Sequence, residues 1–508
     1  MKNNTHSDCW LSRIGLGLIF WYCLSASIFF SYFAQMHLTL SFLPFPIFIG
    51  EIVMFISMIL LAWVSRDGQS FDRRSVLLLG LYFGWVFIRV LINYHYDGAL
   101  TCRNAALFYY PIFAVFAYAF YQKAKISHQV LMSLVFLLGS IMFLKGMVVW
   151  CWWTYVMLYA IAVWNIKSVP LRFMAWVFLA MIFLLGPEYL YKGPRAHFVS
   201  IFGAILFLVS YFGALFIKRG KLIQASILFL SLVLLGVSYF TFSNHNDISS
   251  VTSLKQMINT FNAFDKRYQA DLPTYVRRNL SVHLYNPKTF KEVFPSPACT
   301  VPPPQAPVAG SLVGNGEAQA LSPNSAVPLT AEEMKKFHVP HWLRKIISNE
   351  ILSNRIRNGR DLDVDESNIV FRLFVWRDMA RELIKEKAWW GFSFGHPQRS
   401  ESLEVLKWAE SEWGRDGWIT PHNSFFHIIY RAGVLGLALI IILFVMIGGL
   451  IKDFFRMNSV EGGLLVGALV YWLILSNFFV ILEFPYNAII FWTLFGITWG
   501  YRADLRNG

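Results

Sequence analysis

The chain has 508 residues, of which 56% are hydrophobic and 17% aromatic, against 15% charged, and its formal net charge is +14. One soluble core cannot hide that much apolar surface, so a soluble enzyme is excluded and the basic excess is read first as a loop bias rather than a nucleic-acid footprint. Five cysteines, Cys9, Cys23, Cys102, Cys151 and Cys299, mostly inside apolar runs, exclude a disulfide framework and leave a Cys102–Cys299 bond as an unsupported option.

The N-terminus Met1–Phe20 is polar and then apolar, has no small-residue cleavage site and reads as a retained anchor. Apolar segments follow at 14–34, 41–64, 75–93, 104–122, 129–146, 148–165, 170–187, 198–217, 222–242, 425–451, 463–482 and 486–502, each long enough to cross a bilayer. Placing the N-terminus in the cytoplasm gives the inner side sixteen Lys and Arg, and leaves the short outer loops only Arg103, Lys145, Lys192 and Arg195. That asymmetry is what a correct topology produces. The expectation is an all-α polytopic inner-membrane protein of about twelve spans with both termini cytoplasmic. Its domains are 1–242 (spans one to nine), a large periplasmic loop at 243–422 with amphipathic helices, and 423–508 (spans ten to twelve).

Within that loop, 300–330 is rich in Pro, Gly, Ala and Ser and reads as a disordered linker. Residues 331–360 look helical and basic. At 367–388, Val370, Phe371, Phe374, Val375, Met379 and Leu383 cluster at helical period, which fits either a lid on the bundle or a direct substrate contact. Trp389, Trp390, Trp413 and Trp418 suit a surface against lipid headgroups.

The chemistry-bearing signal lies where the chain re-enters the membrane, Pro421-His422-Asn423-Ser424-Phe425-Phe426-His427 followed by Gly433 and Gly436. A neutral imidazole at His422 can take a proton from an attacking hydroxyl, with Asn423 orienting it or binding sugar hydroxyls, but both residues can equally be capping the tenth helix. Gly433 and Gly436 allow close helix packing. Arg103, Arg195 and Arg372, the last with Trp376 one turn later, stand against the outer depletion of positive charge. Their guanidinium groups suit a pyrophosphate or, equally, phospholipid headgroups. Glu483 can face the same cavity as His422. Glu51 and Arg89 lie inside predicted spans, where ionisable groups are either functional or pair with each other, and a structural pair is the safer expectation. No Walker loop, dinucleotide fingerprint or HExxH is present, and no Asp-rich motif occupies the first outer loop, so no metal and no cofactor are expected.

These residues resemble the bacterial O-antigen ligase and polymerase superfamily. Its ligases carry His, then Asn, Ser or Gln, nine residues, Gly, two residues, and Gly, Thr or Tyr; His422, Asn423, Gly433 and Gly436 match this without a gap. Arg372-x-x-x-Trp376 and Trp390-Gly391-Phe392-Ser393-Phe394-Gly395 resemble the family's Arg–Trp helix and Gly-x-Gly-x turn, with the second glycine displaced by one. Gly193-Pro194-Arg195 resembles its Ser-Arg-Gly element, with Pro and Ala flanking the arginine. The resemblance implies a metal-independent, inverting glycosyltransferase with an undecaprenyl-pyrophosphate-linked glycan as donor. In it Arg195 and Arg372 hold the pyrophosphate, joined on the same side by Arg103, and His422 deprotonates the acceptor hydroxyl. Lipid A-core is the acceptor expected of a ligase; a polymerase, a protein oligosaccharyltransferase and, in another class, a lipid-linked glycan transporter remain open.

Overall fold

The computed structural model describes residues 4–34, 36–38, 47–65, 73–124, 160, 195–230, 365–402 and 421–507. The expected spans at 129–146, 148–165 and 170–187, most of 222–242, the linker 300–330, the basic stretch 331–360, Trp413, Trp418 and Cys299 lie outside the described residues. The chain divides into two compact units, one of residues 1–247, 379–398 and 418–508, the other of 248–378 and 399–417.

The first unit is helical. In chain order it holds α1 (Asn4–Ala34), α2 (Ile49–Val64), α3 (Arg73–Asp97), α4 (Ala99–Tyr109), α5 (Ile112–Ala124) and α6 (Arg195–Lys218). A two-residue antiparallel pair, His37–Leu38 with Ile47–Phe48, closes the connection between α1 and α2. Helix α7 (Asp365–Lys385) runs into this unit from the second, and α8 (Ser424–Arg456), α9 (Val460–Leu475) and α10 (Pro485–Asn507) complete it. Helix α10 packs on α5, α9 on α6, and α1 on both α2 and α5. The core between them is aromatic and aliphatic, with Tyr22, Phe113, Phe116, Trp472 and Phe491 all at 0% exposure.

Five described segments are long and apolar enough to cross a membrane: Asp8–Ser27, Arg74–Asp97, Leu100–Ala124, Val199–Lys218 and Ser424–Arg456. Helix α3 turns Leu77, Leu78, Leu81, Phe87, Ile88, Leu91 and Ile92 outward. An apolar outer surface of this kind belongs in lipid, and the molecule is a helical membrane protein.

Among the described residues, the second expected span, 41–64, is helical only from Ile49, after the strand residues Ile47–Phe48, and the eleventh ends early. The fourth expected span, 104–122, falls within the span-length segment Leu100–Ala124, which bends at the turn Tyr110-Pro111, where proline supplies no N–H to the helix ladder. The Tyr110 carbonyl instead accepts from Phe113 N at 2.9 Å. The eleventh, 463–482, is helical only to Leu475. There the side chains of Ser476 and Asn477 turn back onto the carbonyls of Trp472 (2.8 Å) and Leu473 (3.0 Å), and residues 476–484 continue as turns.

Helix α8 starts cleanly. Asn423 is extended (φ −155°) and its side-chain oxygen accepts from Phe426 N at 2.9 Å, satisfying one of the helix's orphan donors. Ten residues on, the helix kinks at Gly433 (φ 55°, ψ −132°), a conformation open in practice to glycine alone.

Candidate functional site

The kink at Gly433 breaks one rung of the α8 ladder, and a neighbouring segment fills it. Val434 N, which a straight helix would direct to Tyr430 O, donates to Trp389 O at 2.8 Å, and Tyr430 O accepts from Phe392 N at 2.9 Å. The 389–392 turn therefore lies against the kink backbone to backbone. It fits because Gly391, also at positive φ (75°), faces the Arg431–Ala432 peptide, where a Cβ would come within 2.5 Å. Gly436 meets its own helix across the bend: a Cβ there would lie 2.5 Å from Ile428 O. The paired glycines thus serve a kink and its docked turn, where the sequence suggested close packing between helices.

Arg89, from α3, fastens the same junction. Its guanidinium donates to Arg431 O and Phe392 O, both at 2.9 Å, and stands over the rings of Trp85 and Phe394 at 5.5 and 4.9 Å. One of those carbonyls, Arg431 O, belongs to the turn of α8 that the kink opens. The expected Arg89–Glu51 pair does not form. Glu51 accepts instead from Tyr109 and Tyr110 hydroxyls at 2.7 and 3.0 Å. The far side of the turn is held by α3 and α4, with Ser393 Oγ donating to Asp97 at 2.8 Å and Asn104 Nδ2 to Phe394 O at 2.6 Å.

At the head of α8, His422 is half-buried and adopts a positive φ of 49°, turning the chain into Asn423. Such a backbone is uncommon outside glycine, though histidine and asparagine are enriched in it. Asn423 Oδ1 is spent on the cap, which realises the capping alternative for that residue. One turn further, His427 and Arg431 point inward on the same face at i and i+4.

Here the structure assembles four charged or titratable side chains. Arg431 Nε donates to His427 Nε2 at 3.1 Å, and Arg431 Nη1 donates to the carbonyls of Ser393 (2.8 Å) and His396 (2.7 Å). His427 Nδ1 lies 3.1 Å from Glu483 Oε2, and Glu483 Oε1 lies 3.3 Å from Arg103 Nε. Because arginine can only donate, His427 Nε2 must be the acceptor, so the proton of the neutral ring sits on Nδ1 and is given to Glu483. Burial would push the Glu483 carboxyl up, but His427, Arg103 and Arg431 outweigh it and hold it below the usual carboxylate range.

Glu483 reaches this position from the 476–484 turns, which are pinned to the start of α8. Ser424 N donates to Ser476 O (2.8 Å), Ser424 Oγ donates to Phe479 O (3.0 Å) and accepts from Leu482 N (3.1 Å). A second carboxylate–imidazole contact borders the docked turn. Glu382 Oε1 lies 3.0 Å from His396 Nε2, Glu382 Oε2 accepts from the Tyr430 hydroxyl at 2.7 Å, and the His396 ring stacks on Phe392 at 4.4 Å.

Of the residues singled out in the sequence, Arg103 and Glu483 are brought into contact, and His422, Asn423, Gly433 and Gly436 lie along the first half of α8. Arg195 is the first residue of α6, and its side chain lies outside the described ones. In the second unit, Arg372 and Trp376 are half-buried on α7, whose Phe374 and Val375 are fully buried as the helical period predicts. Asp378 there accepts from Ser400 Oγ (2.6 Å), Ser402 N (2.8 Å) and Ser402 Oγ (2.7 Å). Sequence reasoning missed His427 and Arg431 as members of the site. Their signal was available: two ionisable residues four apart inside a membrane span.

Residues 332–441 match the family model for O-antigen ligase, which supports the resemblance to the O-antigen ligase and polymerase superfamily. That stretch covers α7, the docked turn and α8 as far as Ile441, with His422, His427, Arg431 and both motif glycines inside it. No curated protein and no solved structure matches the chain.

Proposed function

We propose that the protein is a metal-independent, inverting glycosyltransferase of the O-antigen ligase type. Its donor is a glycan on undecaprenyl pyrophosphate and its acceptor a hydroxyl of lipid A-core, joined on the periplasmic face of the inner membrane. The observation that carries this reading is the O-antigen ligase match over 332–441. The matched segment contains His422 at the head of a membrane-length helix, and the buried chain running from Arg431 to Arg103 begins within it.

In this reading His422 accepts the proton of the acceptor hydroxyl as its oxygen attacks the anomeric carbon. The new glycosidic bond forms as the bond to the pyrophosphate oxygen breaks, and a single in-line displacement inverts the centre. Charge gathers on the leaving pyrophosphate, where fixed guanidinium groups contribute the largest stabilisation. Arg103, Arg195 and Arg372 are the residues assigned to it, with Trp376 supporting Arg372. Asn423 caps the helix that presents His422, Gly433 and Gly436 shape the kink behind it, and Glu483 orients Arg103.

The test is transfer by the purified protein in detergent with EDTA present, supplied with the lipid-linked glycan and, separately, lipid A-core, a growing glycan or a protein acceptor. Transfer to lipid A-core that a folded His422→Ala variant loses is the expected result. Equal rates in the two proteins would leave His422 as a backbone feature only, and transfer to a different acceptor would move the assignment to a polymerase or protein transferase. Movement of the lipid-linked glycan across liposomes without any transfer would replace the enzyme by a transporter.

A further inference from the structure

The four-residue chain has a direction. Arg431 is 1% exposed, and the side chains of His427 and Glu483 are each 2% exposed, whereas the Arg103 side chain is 28% exposed. The accessible end is a guanidinium, the group whose forked donors suit phosphate oxygens. Glu483 Oε1 stands 3.3 Å from Arg103 Nε, an ion pair at the inner edge of that fork. Glu483 in turn is held by His427, and His427 by an arginine whose Nη1 is locked onto the carbonyls of Ser393 and His396, just past the docked turn.

The connector is His427, which must donate at one nitrogen and accept at the other. A second donor at Nε2 would face Arg431 Nε–H, and loss of the donor at Nδ1 would leave Glu483 facing a lone pair in a buried site. From this geometry we infer that His427 and Arg431 are positioning residues, acting through Glu483 to hold Arg103 as a preoriented site for a phosphate oxyanion of a lipid-linked diphosphate. Only the identity of that ligand rests on the glycosyltransferase reading. The oxyanion chemistry itself is shared with phospholipid headgroups.

The experiment uses the full-length protein in phosphatidylcholine nanodiscs, titrated with undecaprenyl pyrophosphate and, in a second arm, with phosphatidylglycerol. Wild type is compared with His427→Leu, which removes both hydrogen bonds, and His427→Gln, whose amide offers one donor and one acceptor at similar separation. Thermal unfolding reports folding and glycan transfer is measured in parallel. Losing the charge-linked hydrogen bonds should weaken diphosphate binding roughly tenfold in His427→Leu. His427→Gln should stay within about threefold of wild type, a difference well under one charge-assisted hydrogen bond, and phosphatidylglycerol binding should be the same in all three.

Equal losses in the Leu and Gln variants, or wild-type affinity in a folded Leu variant, would overturn the inference. So would a matching loss for phosphatidylglycerol, which would make this a headgroup site. Should His427→Leu fail to fold, Glu483→Gln tests the same link and should lose diphosphate affinity in the same sense; unchanged affinity there overturns the inference. Diphosphate binding that depends on His427 in a protein without transferase activity would sink the enzyme reading and leave the positioning role standing. Transfer with binding indifferent to His427 would do the reverse.

Discussion

Gly433 and Gly391 leave room for each other's segments: a Cβ on Gly433 would fall 2.5 Å from the Gly391 nitrogen, a Cβ on Gly391 would fall 2.5 Å from the Ala432 nitrogen, and both residues hold positive φ. The kink in α8 and the turn that fills it are therefore one feature. Gly433→Ala has to strain its backbone and push the turn away from Val434 N, a combined cost of about 3 kcal/mol or more. The expected outcome is a markedly lower unfolding temperature in detergent, with transfer activity lost alongside it. An alanine variant as stable as wild type would show that the turn can move aside.

Arg89 offers a separate handle on the same junction. Replacing it by leucine keeps apolar contact with Trp85 and Phe394 but strands the carbonyls of Arg431 and Phe392. Two buried acceptors without donors cost about 2–6 kcal/mol together. Arg89→Lys restores one point charge without the fork and should recover part of that loss. Thermal unfolding of both variants checks the order wild type, Lys, Leu.

Asn423 is expected to act through its cap. Asn423→Ala should lower stability by about 1 kcal/mol, and Asn423→Ser should change it little, since a serine hydroxyl caps equally well. Transfer rates should follow the same pattern. A serine variant that is stable yet inactive would give Asn423 a direct contact with the sugar.

The Glu382 carboxyl should make stability depend on acid pH. Burial raises it, but hydrogen bonds from His396 and Tyr430 and the positive charge of His396 and Arg431 prevail and hold it below its usual value. A depressed carboxylate stabilises the fold above its unfolded pKa, about 4.3, and that contribution is lost as pH falls through the lower folded value. The unfolding temperature of wild type should therefore drop on acidification below about pH 4 more steeply than that of Glu382→Gln. Parallel curves would show that the carboxylate adds nothing.

Much of the bundle was legible because a span needs only length and apolarity: 198–217 and 425–451 correspond to helices 195–218 and 424–456. Helix α7 was legible from its 3.6-residue period. Pro111 and the Ser476-Asn477 pair were visible as residues, but their breaks sit inside uninterrupted apolar runs, where hydropathy is blind to hydrogen bonding. Glu483 and Arg103 were singled out separately, 380 positions apart, and nothing local says that they meet. His427 and Arg431 were hidden by their setting, since an apolar helix invites reading every residue as packing. Arg89 was correctly marked as exceptional and wrongly matched to Glu51, because charge sign suggests a carboxylate partner whereas a kinked helix supplies bare carbonyls.

Ser424 ties the first turn of α8 to the turns that follow α9, and Glu483 comes 56 residues after His427 in the chain. During synthesis His427 and Arg431 are therefore made, and delivered towards the bilayer, before their carboxylate exists. The carbonyls of Ser393 and His396 that take up Arg431 precede it in the chain, whereas the carboxylate that takes the His427 proton follows it. The order of translation is thus built into when the site becomes complete: its last member, Glu483, is also the last to be made.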